Sequence, residues 1–417
     1  MKKEKLRQII ADQQELFKKK NELIDRDVSL ERFMRGNEII IISGIRRCGK
    51  SSLLKIIADK IKENSIYINF DDVRMTDFET GNFSDIEDIA GEIYGFETKI
   101  IYLLDEVQNI RLWEKWVNNL YSKDIKVFVT GSNSSLLSSE ISTYLTGRNK
   151  ILNLYPFSFM EFLKLIGLKP EYRTTKEKQQ LIKAFNEYFE KGGFPLVLKN
   201  NDLELSKQYF EDIFYKDIIS RYDIRKTKEY KDLVLYLFSN IGSTYSYSTL
   251  KQVSGIKSLS MIKNYIDYLK SVFLGFTINK FDYSIKKQKV SSSKFYAGDN
   301  SFLKTVAFNF SENTGHRLEN LVFINLLRQK KEVYYYYNKG ECDFVIKQGL
   351  KITEAIQVSL SLSNPRTKKR EIEGLADAMN KYKLKQGTIL TLEDEDEFDE
   401  NGKKIIVKPV WKWLLEN

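Results

Sequence analysis

The chain has 417 residues, 42% hydrophobic and 30% charged, with Tyr 24 and Phe 26; this length outgrows a single core and predicts two or three domains, and the aromatic content excludes a disordered chain. Lys plus Arg 67 against Asp plus Glu 57 gives a net charge of +10, modest for the length but suited to a polyanionic partner. Two distant cysteines, Cys48 and Cys342, and a single histidine, His316, exclude a disulfide framework, a structural zinc site and His-rich metal centres, and argue against a Ser-His-Asp triad.

The charged start Met1-Lys2-Lys3-Glu4-Lys5 lacks the apolar stretch of a secretory signal, and no later run approaches membrane-spanning length, so the expectation is a cytoplasmic protein without a membrane partner. Residues 1–33 read as one or two amphipathic helices, with Leu6, Ile9 or Ile10, and Leu16 or Phe17 near helical spacing, packed on the domain that follows. Over 34–155 short apolar strands alternate with helical patterns: Glu38 to Ser43, Ser65 to Phe70, Lys99 to Leu104 and Lys126 to Thr130. That alternation predicts an α/β fold with a largely parallel sheet.

Gly44-Ile45-Arg46-Arg47-Cys48-Gly49-Lys50-Ser51, with Ser52 after it, follows the first strand and opens a helix, the context of a P-loop. The glycines let backbone N–H groups curl around phosphate oxygens of ATP, Lys50 reaches the β and γ phosphates, and Ser51 ligates Mg2+. Ile100-Ile101-Tyr102-Leu103-Leu104-Asp105-Glu106 is a buried strand ending in two acids. Asp105 would hold the Mg2+ through water, and Glu106 would orient the attacking water, which favours hydrolysis over binding alone. The strand Lys126 to Thr130 ends in Thr130-Gly131-Ser132-Asn133, where Asn133 suits a γ-phosphate sensor and an ordinary turn is the plain alternative.

Residues 156–228 turn helical, broken by Gly192, Gly193 and Pro195, and read as a lid or connector. Residues 229–300 follow a winged-helix order. Ser258 to Phe273 sets Leu259, Ile262, Ile266, Leu269 and Phe273 on one helical face, and Ser258, Ser260, Lys263, Asn264 and Lys270 on the other. Lys280, Lys286, Lys287 and Lys289, with Tyr283 interleaved, then stand where a wing meets phosphates. Such residues predict DNA binding that is mostly sequence-independent, with protein contacts as the alternative use. Residues 301–417 return to mixed α/β, with a helix around Glu319, strands at Val333 to Tyr337, Asp343 to Lys347, Ile352 to Val358 and Thr388 to Leu392, and an acidic run Glu393 to Glu400 that reads as a solvated loop.

The P-loop with Arg46 and Arg47, Asp105-Glu106-Val107-Gln108, Thr130-Gly131-Ser132-Asn133, Leu145-Thr146-Gly147-Arg148 and Pro156-Phe157-Ser158-Phe159 together resemble a prokaryotic AAA-type ATPase family whose members carry a winged helix and a C-terminal domain similar to PD-(D/E)xK nucleases. The resemblance implies a sensor strand between the P-loop strand and the strand ending in Asp105. It also makes Arg148 a candidate arginine finger, in cis or across a homo-oligomer interface. In the last domain it implies Glu319, Asp343 and Gln357 as ligands of a second metal, with two departures: Gln357 replaces an acid, and Ser359 stands where a lysine is expected, a role Lys369 is near enough in sequence to fill. His316, one turn before Glu319, would pack in or line the same cleft. Three functions stay open: an ATPase coupled to binding or remodelling of DNA, with branched DNA among its substrates; a nucleotide-dependent switch acting through protein partners; and a metal-dependent nuclease.

Overall fold

A computed structural model of the protein describes residues 1–19, 22–61, 63–131, 145, 147–306 and 314–416. By packing the chain falls into two units, Met1–Tyr155 and Pro156–Asn417.

Four consecutive isoleucines and a serine, all buried, make β1 (Ile39–Ser43). A strand apolar on both faces belongs at the centre of a parallel sheet, where helices cover both sides. β2 (Asn64–Asn69), β3 (Ile100–Asp105), β4 (Val127–Gly131) and β5 (Asn149–Asn153) complete it in the order β2-β3-β4-β1-β5, every pairing parallel. The sensor strand β4 thus lies between β1 and β3, as the resemblance implied. Helices Lys50–Lys60, Phe83–Tyr94 and Trp113–Ser122 connect the strands. The strand ranges expected for β1 to β4 agree within a residue. β5 gave no expectation because it is a half-exposed edge strand in which Leu152 is the one buried residue.

The N-terminal helix, Lys3–Lys18, is not a separate layer. Its Leu6, Ile9 and Ile10 join the core built by Ile39, Ile66, Ile86 and Trp116, and Phe17 stacks on Tyr67 at 3.9 Å between ring centres. Of the two alternatives Leu16 or Phe17, Phe17 is the one that packs, and Leu16 is 60% exposed. Among the described residues no helix is long and apolar enough to cross a membrane.

The second unit begins with helices Phe159–Leu165, Thr175–Lys191, Pro195–Asn200 and Glu204–Asp212, the last running on through a π-helical stretch, Ile213–Ser220. Ser158 and Glu161 form a reciprocal capping box at the first of them. Tyr188 Oη and Arg328 both donate to Phe157 O, at 2.7 and 3.0 Å, so the Pro156-Phe157-Ser158-Phe159 motif is a packing device. The Gly192–Gly193 break is tight: Gly192 has φ +72°, a Cβ there would meet Asp299 Oδ1 at 1.9 Å, and Gly193 N donates to Asp299 Oδ2 at 2.8 Å.

Helix Thr227–Ser239 is followed by β6 (Thr244–Tyr245), helices Tyr247–Ser254 and Leu259–Ser271, β7 (Gly275–Asn279), a short helix Ile285–Val290 and β8 (Ser293–Ala297). The three strands form an antiparallel sheet in the order β6-β8-β7. Beyond helix Thr314–Arg328 comes a six-stranded mixed sheet, β13-β14-β12-β11-β10-β9, made of β9 (Glu332–Tyr337), β10 (Glu341–Gln348), β11 (Lys351–Val358), β12 (Gln386–Thr391), β13 (Asp396–Asp399) and β14 (Lys404–Pro409). Helix Pro365–Tyr382 makes the crossover between the parallel strands β11 and β12. The acidic run is not a loop throughout: Asp396–Asp399 pairs with β14 as the edge strand β13. Exposed carboxylates are compatible with an edge, where they discourage pairing with another chain.

Candidate functional site

Parallel strands end on one edge, and three of them bring the nucleotide residues together. Ser43, the last residue of β1, is in register with Gly131 of β4, and Asp105 ends β3 beside them. The loop from Gly44 to Gly49 leaves β1 at that edge. Gly44 is required by packing, since a Cβ there would sit 2.0 Å from Leu154 O, and Gly49 has φ +101°, in the left-handed region. Arg47 shares that region with φ 70°. Arg26 holds the loop by donating to Cys48 O at 2.9 Å and to Tyr155 O at 2.6 Å, while Cys48 is buried with its thiol 3.4 Å from Leu154 O. Burial pushes that thiol pKa up, which makes Cys48 a packing residue.

Helix Lys50–Lys60 starts without a side-chain cap, so the N–H groups of its first turn point at the loop, where the helix dipole favours an anion. Lys50 is buried, and its Nζ donates to Gly44 O at 3.0 Å and Ile45 O at 3.2 Å, inside the loop. Ser51 and Ser52, next in the helix, are exposed. These features fit a triphosphate with its Mg2+.

Asp105 is 2% exposed and carries donors on both oxygens: Thr130 Oγ1 donates to Oδ1, and Tyr67 Oη donates to Oδ2 at 2.9 Å. Burial raises the Asp105 pKa, and hydrogen bonds from Ser51, Thr130 and Tyr67 oppose the rise. Thr130 also accepts from Glu106 N at 3.1 Å, tying both acids to the tip of β4. Glu106 has φ 52°, a sparsely populated conformation for a residue with a Cβ, and its carboxylate accepts from Gln108 Nε2. Tyr67 was not singled out for this site from the sequence, and Thr130 was read only as the first residue of the tip that carries Asn133.

One predicted residue, Arg148, does not join the site. Asn133 lies outside the described residues, as does Thr146 of the Leu145-Thr146-Gly147-Arg148 motif. Arg148 sits at the opposite edge of the sheet: its carbonyl accepts from Ile39 N at 2.8 Å, at the start of β1. Five residues of strand, about 17 Å at roughly 3.3 Å each, separate it from the P-loop of its own chain, which rules out the in-cis arginine finger. Its guanidinium bonds Asn118 Oδ1 and lies 5.7 Å over the Tyr121 ring.

In the second unit Glu319 and Asp343 converge as expected, but on a lysine that the sequence reading missed. Lys294 Nζ, on β8, is 3.2 Å from Glu319 Oε1, 3.2 Å from Asp343 Oδ1 and 2.6 Å from Glu341 Oε1. Burial works against that charge, and Glu319, Asp343 and Glu341 outweigh it, holding the Lys294 pKa above its ordinary value. Burial and the neighbouring Glu319 push the Asp343 pKa up to about 7, whereas for Glu319 burial is overcome by Lys294 and its pKa falls. Gln357 is spent on structure: Oε1 accepts from Asp343 N at 3.2 Å and Nε2 donates to Glu371 Oε2 at 2.6 Å. Ser359 donates to Ser361 O at 3.3 Å. Lys369 does not fill the lysine role, because it projects into solvent, 77% exposed, 3.8 Å from Glu373. His316 does line the cleft, with Nδ1 3.6 Å from Glu319 Oε2, and that carboxylate raises its pKa.

Replacing Tyr67 by Phe deletes one donor to Asp105 and keeps the ring that stacks on Phe17. The expected result is roughly tenfold more Mg2+ for half-maximal ATP turnover, the usual scale for losing an outer partner of a metal-binding carboxylate. An unchanged Mg2+ dependence would leave Tyr67 a packing role only.

A family pattern described as an AAA domain matches residues 36–163, and one described as a domain of unknown function (DUF8612) matches residues 182–313. The uncharacterized protein MJ1544 of Methanocaldococcus jannaschii is 35% identical, over 98% of this chain and 94% of that one. An uncharacterized protein of Haemophilus influenzae is 29% identical, over 94% of this chain and 99% of its own. Among solved structures, the RuvB Holliday junction branch migration motor of Thermotoga maritima corresponds partially, with 16% identity over 60% of this chain and 84% of that chain and a TM-score of 0.30. The chain therefore belongs to the same family as MJ1544, and its residues 36–163 form a P-loop domain of the AAA type.

Proposed function

We propose that this protein hydrolyses ATP and couples the turnover to DNA held by its second unit. The observation that carries the reading is the meeting of Lys50, Ser51, Asp105 and Glu106 at one edge of the sheet, with Thr130 joining both acids. The N–H groups of Gly49, Lys50 and Ser51 bind phosphate oxygens, and Lys50 exchanges its loop carbonyls for the β and γ phosphates. The Ser51 hydroxyl and, through water, the Asp105 carboxylate would hold the Mg2+, which would supply charge neutralisation at the phosphates. Glu106, fixed by Thr130 through its backbone and by Gln108 through its carboxylate, orients water toward the γ-phosphorus.

The DNA part rests on residues 229–300, whose element order supports a winged helix. Helix Leu259–Ser271 buries Ile262, Tyr265, Ile266 and Leu269 and exposes Ser260, Lys263, Asn264 and Lys270. Leu259 is half exposed, and Lys270 pairs with Asp267 at 2.9 Å, which reduces the positive charge on that face. The short helix after β7 exposes Lys286, Lys287 and Lys289, next to a largely exposed Tyr283. Lysines of this kind contact phosphates and carry little base discrimination. The place of Arg148 at the far edge of the sheet supports its use across a subunit interface in a homo-oligomer.

Lys50→Ala is expected to weaken ATP binding by about 1.5–3 kcal/mol, more than tenfold, and Glu106→Gln to keep binding while losing about a hundredfold or more in turnover. Normal hydrolysis by Glu106→Gln would remove the water-orienting role. Changing Lys286, Lys287 and Lys289 together to Ala should lower the slope of log affinity for duplex DNA against log salt by about 3, measured by fluorescence anisotropy. An unaltered slope, with turnover indifferent to DNA and a nucleotide-dependent change of mass, would favour the switch acting through protein partners. For the finger, Arg148→Ala alone should lose turnover, and mixing it with Glu106→Gln chains should restore part of it; no recovery in the mixture would sink the role across subunits.

A further inference from the structure

The acidic cleft of the second unit contains a positive charge of its own. Lys294 lies on β8, the middle strand of the three-stranded sheet, with its side chain 2% exposed. An ammonium has three N–H donors. Three carboxylate oxygens from two other elements meet it: Glu319 Oε1 from helix Thr314–Arg328, and Glu341 Oε1 and Asp343 Oδ1 from β10, at 2.6–3.2 Å. These are N···O separations of hydrogen-bonded ion pairs, longer than the roughly 2.1 Å bonds of Mg2+ to oxygen. Two further donors reach the cluster: Tyr296 donates to the same Glu319 Oε1 at 2.6 Å, and Val358 N donates to the other Asp343 oxygen, Oδ2, at 3.0 Å.

We propose that Lys294 is the resident cation of this site: Glu319, Glu341 and Asp343 form a socket for one ammonium, in the position where the resemblance to PD-(D/E)xK nucleases implied a divalent ion. The residues present therefore do not fit a metal. An ion bound to the same oxygens would lie against the ammonium in a poorly solvated interior, where like charges repel strongly. β8 is hydrogen-bonded on both sides by β6 and β7, so the backbone carrying Lys294 cannot withdraw without breaking the sheet. Gln357 follows the same logic, since a neutral amide bonded to Asp343 N and Glu371 adds no further negative charge where three carboxylates already face one ammonium. The cluster joins the three-stranded sheet to β10 of the mixed sheet, and metal-dependent cleavage is not its chemistry. This inference is independent of the ATPase reading.

The test uses Mn2+ as the probe and the full chain carrying Ser51→Ala, without nucleotide, so that the P-loop does not contribute. Calorimetric titration is expected to find no Mn2+ site that depends on Asp343, and millimolar Mn2+ should leave Tm unchanged. Adding Lys294→Met should lower Tm and create one Mn2+ site per chain, with Tm recovering on Mn2+ addition and the response lost again on further Asp343→Asn. Mn2+ binding or plasmid cleavage by the Ser51→Ala chain that disappears with Asp343→Asn would overturn the proposal. So would a folded Lys294→Met chain that takes up no Mn2+. Should Lys294→Met not fold, the comparison of Ser51→Ala with and without Asp343→Asn still decides.

Discussion

In a parallel sheet all strands finish on the same edge, and the nucleotide site depends on that constraint more than on any single contact. β1 delivers the P-loop there, β3 delivers Asp105 and Glu106, and β4 delivers Thr130, because the register pairs Ser43 with Gly131 and Leu104 with Val129. The isoleucines of β1 and the apolar run of β3 therefore serve chemistry indirectly: burying them on both faces keeps the strands central. Residues at the other edge are excluded by the same rule. Arg148 precedes β5 and so stands at the starting end of β1, a strand length away from the phosphates its own chain would bind.

The second unit is organised around charge taken out of water. A lone buried ammonium or carboxylate is costly, and each is tolerated only when paired and hydrogen-bonded. Lys294, Glu319, Asp343 and Tyr296 satisfy one another across three elements, and Asp299 does the same at the Gly192–Gly193 break through Ser301 and Gly193 N. Removing one partner leaves the others buried and uncompensated, so these groups specify which strand and helix meet.

Legibility in the sequence followed distance along the chain. The P-loop spans eight neighbouring residues between an apolar strand and a helix, so its residues and its backbone requirements could be read together. Asp105 and Glu106 were visible because an apolar run ends on them. β5 was not, since a short edge strand that buries one residue has almost no apolar pattern, and β13 hid in an acidic run because edge strands accept exposed charge. Lys294 stands in Ser293-Lys294-Phe295-Tyr296, where nothing local distinguishes a buried lysine from a solvated one, and its three carboxylate partners lie 25 to 49 positions further on.

By itself, then, the sequence determined which groups the proposed chemistry of the first unit draws on: the P-loop, Asp105 and Glu106, all carried by short segments whose local conformation their own residues dictate. Tertiary structure alone decided what those groups touch. It added Tyr67 and Thr130 to Asp105, took Arg148 away from its own nucleotide site, and put Lys294 where a metal was expected. Each of these depends on strand order and on which charges are buried together, and neither property is encoded in a local pattern.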